Sequence, residues 1–323
     1  MTRRYALYCV LTCAILGCSF TVSRSIVDYP ILTGQALRYC LAAVALFALA
    51  RRQKPRIHPS GRELVRLGLV AATGLVLFNV LLLFALRHAD PAVIGTIVGV
   101  SPLLLALLGP LQERRRPEQR LPLAAAVVVG GAVLVQHNQG EHDAAGLLAA
   151  VGVLCCEAAF SLLAAPLLPR LGAVRVSAWS TALAVPMLLL ALPLTGERPR
   201  VPSGGEAAAI AFLGLVLTVV AFVFWYTGVA KLGVDRAGVY LALVPVFALV
   251  TTALVDRAAP DALKVCGVLL VGAGLALTAA RVKQDEWKAP RSSSAPAGSP
   301  ASPGNSASSS GSLTKASTSG RPT

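Results

Sequence analysis

Two ionisable residues stand deep inside long apolar runs, and they set the chemistry open to this chain. Glu157 falls near the middle of the run Ala144–Leu168, and Arg38 lies well inside the run Ile31–Ala50. A carboxyl surrounded by hydrocarbon is costly as a bare charge, and is kept where it meets water, a proton or a cation. Glu157 is therefore a candidate proton-coupling residue, or a counter-ion for a cationic substrate group. The competing reading is a structural carboxyl, held neutral or paired with Arg38. The Arg38 guanidinium could grip a substrate carboxylate through two parallel hydrogen bonds, or brace neighbouring backbone carbonyls. Trp179, Trp225, Tyr226 and Tyr240 supply aromatic faces that could line a substrate cavity. Trp225 and Tyr226 sit mid-run, away from the headgroup level where aromatic belts gather, though helix packing would use them equally well. Ser19, Gln35, Asn79 and Ser161 could hydrogen-bond a substrate, or hold helices together at ~0.6 kcal/mol per contact on average.

Other chemistries lack their residues. The histidines, His58, His88, His137 and His142, all fall in connecting segments without ligand spacing. The cysteines, Cys9, Cys13, Cys18, Cys40, Cys155, Cys156 and Cys266, all fall in apolar runs, where they read as small buried hydrophobes. No metal and no cofactor is expected. No phosphate-cradling loop of the Walker type occurs, which excludes a single-chain ATP-driven pump. An intramembrane enzyme would need clustered His, Asp, Ser or Cys at one membrane face. A non-transporting receptor or scaffold is the other alternative, and it has no need of charged residues in mid-run.

The elements that would position these residues are membrane helices. The chain is 55% hydrophobic and 14% charged, with a mean hydropathy of +0.70. A helical crossing takes about 20 apolar residues. The stretches that qualify are Tyr5–Ser23, Ile31–Ala50, Leu64–Leu86, Pro91–Leu111, Leu121–Gln136, Ala144–Leu168, Val174–Leu194, Glu206–Ala230, Arg236–Val255 and Ala262–Ala280, ten in all. Net charge is +14, but its placement argues against nucleic acid. Basic residues crowd into alternate connections, such as Arg51 to Arg66, Arg114 to Arg120 and Arg281 to Arg291, and are sparse in the others. That bias puts both the N- and C-termini in the cytoplasm of a multi-pass cell-membrane protein. Arg3–Arg4 and the segment Ile15–Cys18 resemble a signal peptide with a lipoprotein cleavage box, but an ordinary first membrane helix accounts for them as well.

The chain also carries a faint copy of itself, displaced by 143 residues. Gly95, Pro102, Leu111, Arg114, Pro117, Gly131 and Leu134 recur as Gly238, Pro245, Leu254, Arg257, Pro260, Gly274 and Leu277, and Glu113 and Glu118 as Asp256 and Asp261. Five helices per copy is an odd number, so the second copy enters the membrane from the opposite face. The expected fold class is an all-α membrane protein, ten transmembrane helices as two inverted five-helix repeats, residues 5–137 and 144–281. Such a duplication is the usual plan of a secondary transporter with its site between the copies. Pro102 and Pro245 are candidate hinges, because proline removes a helix hydrogen bond at equivalent places. Residues 284–323, rich in Ser, Ala, Pro and Gly, read as a disordered cytoplasmic tail.

These segments resemble an EamA-type member of the drug/metabolite transporter superfamily over roughly residues 5–281. The likeness rests on Leu16–Val22 in the first helix, Arg38–Tyr39 in the second, and the stretches Phe84–Arg87 and Trp225–Gly228. It rests also on Ser101–Pro102 through Gln112–Arg114 to Gly130–Gly131, repeated by Pro245, Asp256 and Gly272–Gly274. The resemblance implies a non-enzymatic secondary carrier that exports a small metabolite, amino acid or drug-like compound by alternating access, with proton coupling open to it. The partners implied are a small-molecule substrate and the lipid bilayer, without nucleic acid. A homodimer is compatible with this reading.

Overall fold

A computed structural model describes residues 2–26, 28–89, 97–114 and 143–257, with the single positions Ile94, Ala126, Gly130, Cys266 and Leu270. Among the described residues every regular element is helical. The helices are α1 (Thr2–Ser23), α2 (Ile31–Arg52), α3 (Gly61–Ala71), α4 (Phe78–His88), α5 (Ser101–Gln112), α6 (Ala144–Ala164), α7 (Leu168–Thr195), α8 (Gly204–Phe212), α9 (Ala221–Leu232), α10 (Val234–Val239) and α11 (Val244–Asp256). A π-helical segment, Ala72–Leu77, joins α3 to α4, and another, Leu213–Val220, joins α8 to α9. Each pair therefore runs on as a single long rod with one local bulge.

Among the described residues six helical stretches are long and apolar enough to cross a membrane: Arg3–Ser23, Ile31–Arg52, Gly61–His88, Ala144–Thr195, Gly204–Leu232 and Val234–Val255. The 52 residues of Ala144–Thr195 would extend about 78 Å as one helix, far beyond a hydrocarbon core of about 30 Å. The stretch breaks at Gly172, whose φ of 75° and ψ of 162° suit glycine alone. Of the fourth expected span the structure describes helical Ile94, Ile97 and Val98, the turn at Gly99–Val100 and α5; its other residues lie outside the described ones. The fifth and tenth expected spans, apart from the single positions already given, lie outside the described residues, as does the tail. Large apolar side chains point outward along the rods, with Val44 68%, Leu148 73% and Leu190 78% exposed. Large apolar side chains so exposed suit contact with lipid.

Helix ends are pinned by capping groups. Glu63 reaches back to accept from the Ser60 backbone N–H at 2.8 Å, and Glu206 does the same with Ser203 at 2.8 Å. Both are capping boxes, which satisfy donors that a helix start leaves orphaned. The two boxes lie at opposite ends of the bundle. Glu63 is ion-paired with Arg170, at the α6–α7 junction. Arg200, which pairs with Glu206 at 2.5 Å, accepts on its carbonyl from the Tyr29 hydroxyl at 2.6 Å, beside the start of α2. At that same end Glu197 accepts from the Leu32 N–H at 3.0 Å and so caps α2.

The 143-residue spacing recurs in local geometry. Ser60 and Glu63 correspond to Ser203 and Glu206, and the π-helical segment at Ala72–Leu77 overlaps the image of the one at Leu213–Val220. Pro102 and Pro245 each take the second position of a helix. Arg114 and Arg257 both adopt left-handed backbone, with φ of 55° and 51°. The turn at Gly99–Val100 corresponds to the end of the 3-10 segment Tyr240–Leu243. Each proline closely follows a tightened turn, and Val234–Val255 runs as one helical stretch through Pro245. Around each proline the chain keeps helical dihedrals, with φ −78° and ψ −9° at Val100 and φ −74° and ψ −16° at Leu243, but tightens to bonds three residues back, from the Val100 N–H to Ile97 and from the Val244 N–H to Leu241.

Candidate functional site

The candidate residues fall into two groups, one around Arg38 and one around Glu157. Arg38, on α2, donates from Nε to Thr218 Oγ1 at 2.7 Å and from Nη1 to Gln35 Oε1 at 3.1 Å, and its guanidinium lies 5.1 Å from the centre of the Tyr39 ring. Thr218 is fully buried and donates in turn to the Leu213 carbonyl at 3.0 Å. That carbonyl lies within the π-helical segment, where the wider turn lets a hydroxyl reach back five residues. Asn79, buried on α4, donates to the Leu75 carbonyl and lies 3.5 Å from the Tyr39 hydroxyl. Arg38, Gln35, Thr218, Tyr39 and Asn79 therefore form one polar seam across α2, α4 and the second π-helical segment. The alternative of an Arg38–Glu157 pair is not what forms: the guanidinium bonds reach Thr218 and Gln35.

Glu157 lies on α6, half-buried, and its Oε2 is shielded from solvent without a hydrogen-bond partner. Its carboxyl interacts with the buried Ser101 hydroxyl at the start of α5. The fully buried Cys13 thiol on α1 lies within electrostatic reach. One turn along α6, the Ser161 hydroxyl accepts from the Trp225 indole N–H at 3.1 Å. Tyr226, fully buried, stacks on Phe160 with ring centres 5.1 Å apart, and Phe160 lies 5.2 Å from Phe222. The Tyr226 hydroxyl is buried without a partner. Glu157 on α6 and Tyr226 on α9 thus each bury a polar oxygen without a hydrogen-bond partner. Each costs stability unless something bonds it.

Trp179 and Tyr240 pack against the same core cluster as Trp225 and Tyr226. Trp179, half-buried on α7, packs edge-on to Phe47 with ring centres 5.4 Å apart. Ser19 bonds its own helix, donating to the Leu16 carbonyl at 2.7 Å. Tyr240, half-buried, opens the 3-10 segment, and its carbonyl accepts from Cys13 Sγ at 3.0 Å. A cleft of about 330 Å³ opens elsewhere, where Glu113, Pro169, Lys231 and Arg236 meet at the bundle end that holds the α5 C-terminus. It is a mouth feature, at a different depth from Glu157. Thr218, Ser101 and Cys13 are the contributors that sequence reasoning passed over. Thr218 had a visible signal, as the one hydroxyl in the run Leu213–Phe224.

Comparison with known proteins bears on what these groups serve. The sequence profile of the EamA-like transporter family matches residues 3–136 and 144–280. An uncharacterized transporter of Bacillus subtilis (strain 168), YetK, is 23% identical over 286 residues, covering 84% of this chain and 86% of its own. A Streptantibioticus cattleyicolor protein named "Probable terminal-alkyne amino-acid exporter" is 27% identical over 273 residues, covering 83% of this chain and 91% of its own. A solved crystal structure superposes with a TM-score of 0.75 at 21% identity, over 87% of this chain and 99% of that one, a likeness of fold alone.

Proposed function

Because this chain belongs to the EamA-like transporter family, and is a membrane transporter and not an enzyme, we propose that it exports a small metabolite, an amino acid or a drug-like compound by alternating access, driven by proton exchange at Glu157. The observation that carries this reading is the Glu157 carboxyl oxygen, buried without a partner in the middle of an apolar helix. A stabilised protein would pair or replace such a group, whereas a carrier that alternately binds and releases a proton needs it accessible to exchange. The aromatic rings of Phe160, Phe222, Trp225 and Tyr226 supply an apolar wall beside it, suited to a substrate that couples a charged group to a hydrophobic side chain. Amino acids have that make-up, and the relative named as an amino-acid exporter supports placing them first among substrates to test. Trp179, Tyr240, Ser19 and the Arg38 seam with Gln35 and Asn79 complete the proposed substrate path.

The proposed frame is ten helices, two inverted five-helix repeats over residues 5–137 and 144–281, with both termini and the 284–323 tail in the cytoplasm. The capping boxes at opposite ends of the bundle, 143 residues apart, support the inversion. Pro102 and Pro245 remain the proposed hinges, each beside a tightened turn. Purified protein in vesicles loaded with radiolabelled amino acids, one at a time, tests the assignment. Efflux accelerated by an inward proton gradient is expected for at least one of them; flux indifferent to the gradient across the panel would sink proton coupling.

A further inference from the structure

The cleft at the end of α5 is built by both halves of the chain. Glu113 comes from the first half, and Pro169, Lys231 and Arg236 come from the second. Three local features set its walls. Gln112 Nε2 donates to the Leu162 carbonyl at 2.7 Å, which ties the end of α5 to α6 just before the junction with α7. A Cβ on Gly109 would lie 3.0 Å from the Asp235 backbone nitrogen, so α5 and α10 approach closely one turn before Glu113. Gly233, with φ of 89° and ψ of 157°, turns the chain from α9 into α10 and leaves Lys231 and Arg236 on either side of the turn. Glu113, Lys231 and Arg236 are all exposed. Among the described residues, the side chains of Lys231 and Arg236 have no hydrogen-bond or ion-pair partner. The repeat does not carry this charge pattern to the other end of the bundle. Under the 143-residue spacing Glu113 maps onto Asp256, but Lys231 maps onto His88 and Arg236 onto Val93. The duplicated fold thus keeps the acid at both ends and has no structural need of the two cations.

We propose that this cleft is a loading site for zwitterionic amino acids, with Lys231 and Arg236 holding the carboxylate and Glu113 accepting from the ammonium group. Its purpose rests on the amino-acid export proposed above: in that topology this mouth faces the cytoplasm, where an exporter collects its substrate. A volume of about 330 Å³ admits a molecule of that size and falls at the small end of ligand pockets. Guanidinium and ammonium groups both give charge-assisted bonds to a carboxylate. A carboxylate has acceptor sites for several donors, so Glu113 can take an ammonium in addition to its contacts within the protein. A purely anionic ligand would meet Glu113 as a like charge, and a purely cationic one would meet two, so the cleft selects for a ligand that carries both.

Lysine resonances read the site directly. The purified full-length chain is placed in phosphatidylcholine nanodiscs with its amines converted to isotope-labelled dimethyl-lysine, which keeps the charge. The Lys231 signal is identified by its loss in Lys231→Arg. L-Leucine should shift that signal saturably. Isocaproate, which is leucine without its amine, and isoamylamine, which is leucine without its carboxylate, should each need about ten-fold more for half the shift. Glu113→Gln should weaken leucine and spare isocaproate, whereas Arg236→Gln should weaken both and spare isoamylamine. No saturable shift with leucine, equal midpoints for the three ligands, or variants that move all three alike would overturn the proposal. A leucine response abolished by phosphatidylethanolamine in the disc would overturn it too, and give the cleft to that lipid's zwitterionic headgroup. Vesicle flux is a separate readout: transport without a leucine response at Lys231 would strike the loading site alone, and a saturable response without transport would strike the export reading alone.

Discussion

Arg38 donates its Nε–H to Thr218 Oγ1 over 2.7 Å, tying α2 to the π-helical segment that leads into α9. Thr218→Val keeps the shape and removes the acceptor. The guanidinium would then lose a charge-assisted bond in a place of low water access, at about 1–3 kcal/mol. A lower melting temperature in detergent is expected for Thr218→Val, with Thr218→Ser near the parent. Equal melting of all three would mean that the seam contributes nothing to stability.

Gly17 permits the crossing of α1 and α11, since a Cβ there would lie 2.6 Å from Phe247 Cβ and 2.7 Å from the Ala248 nitrogen. Backbone cannot yield as a flexible side-chain tip can. Gly17→Ala should therefore reduce the yield of folded protein, measured by monodisperse elution in detergent. Gly68→Ala meets nothing within 4 Å and should be neutral or stabilising by up to about 1 kcal/mol, from helix propensity alone. A tolerant Gly17 would show that the two helices are not held at this distance.

The inside location of both termini is tested by fusions. A cytoplasmic reporter joined after Lys283 should be active, and a reporter active only outside the cytoplasm should be silent there. The opposite pattern would reverse the topology that the basic connections imply.

Hydropathy and charge made the helical membrane class legible in the sequence, since both follow from burial in lipid. The repeat was legible through Pro102 and Pro245 and the acid–arginine pairs, and the structure adds the capping boxes at Ser60 and Ser203 and the left-handed Arg114 and Arg257. Those devices were hidden because Ser and Glu are common residues whose role appears only once a helix start is known. Glu157 was visible as a lone charge in an apolar run. Its neighbours Ser101 and Cys13 were not, because they come from α5 and α1, distant in sequence, and because serine and cysteine inside membrane helices attract no attention singly. The tightened turn just before each proline was not legible, since spacing alone does not show which backbone bonds shorten.

A related expectation concerns the aromatic wall. Trp225→Phe would lose the indole bond to Ser161 while keeping the ring, at a cost of ~0.6 kcal/mol typical of hydrogen bonds between membrane helices. Folding should be nearly unchanged. If the wall touches substrate, KM should rise with little change in kcat, because a contact made equally in the bound ground state and the transition state affects binding alone. A fall in kcat at constant KM would place Trp225 in the conformational cycle instead.

The most direct test of proton coupling at Glu157 is efflux from proteoliposomes against external pH, comparing the parent chain with Glu157→Gln. Glutamine has nearly the same volume and cannot exchange a proton, so the variant should insert and elute as the parent does. Substrate efflux by the parent is expected to vary with pH and to accelerate with an inward proton gradient, while the variant retains at most a slow, pH-independent flux. A Glu157→Gln protein that keeps the parent's pH profile and gradient response would contradict the account and leave Glu157 as a structural polar group.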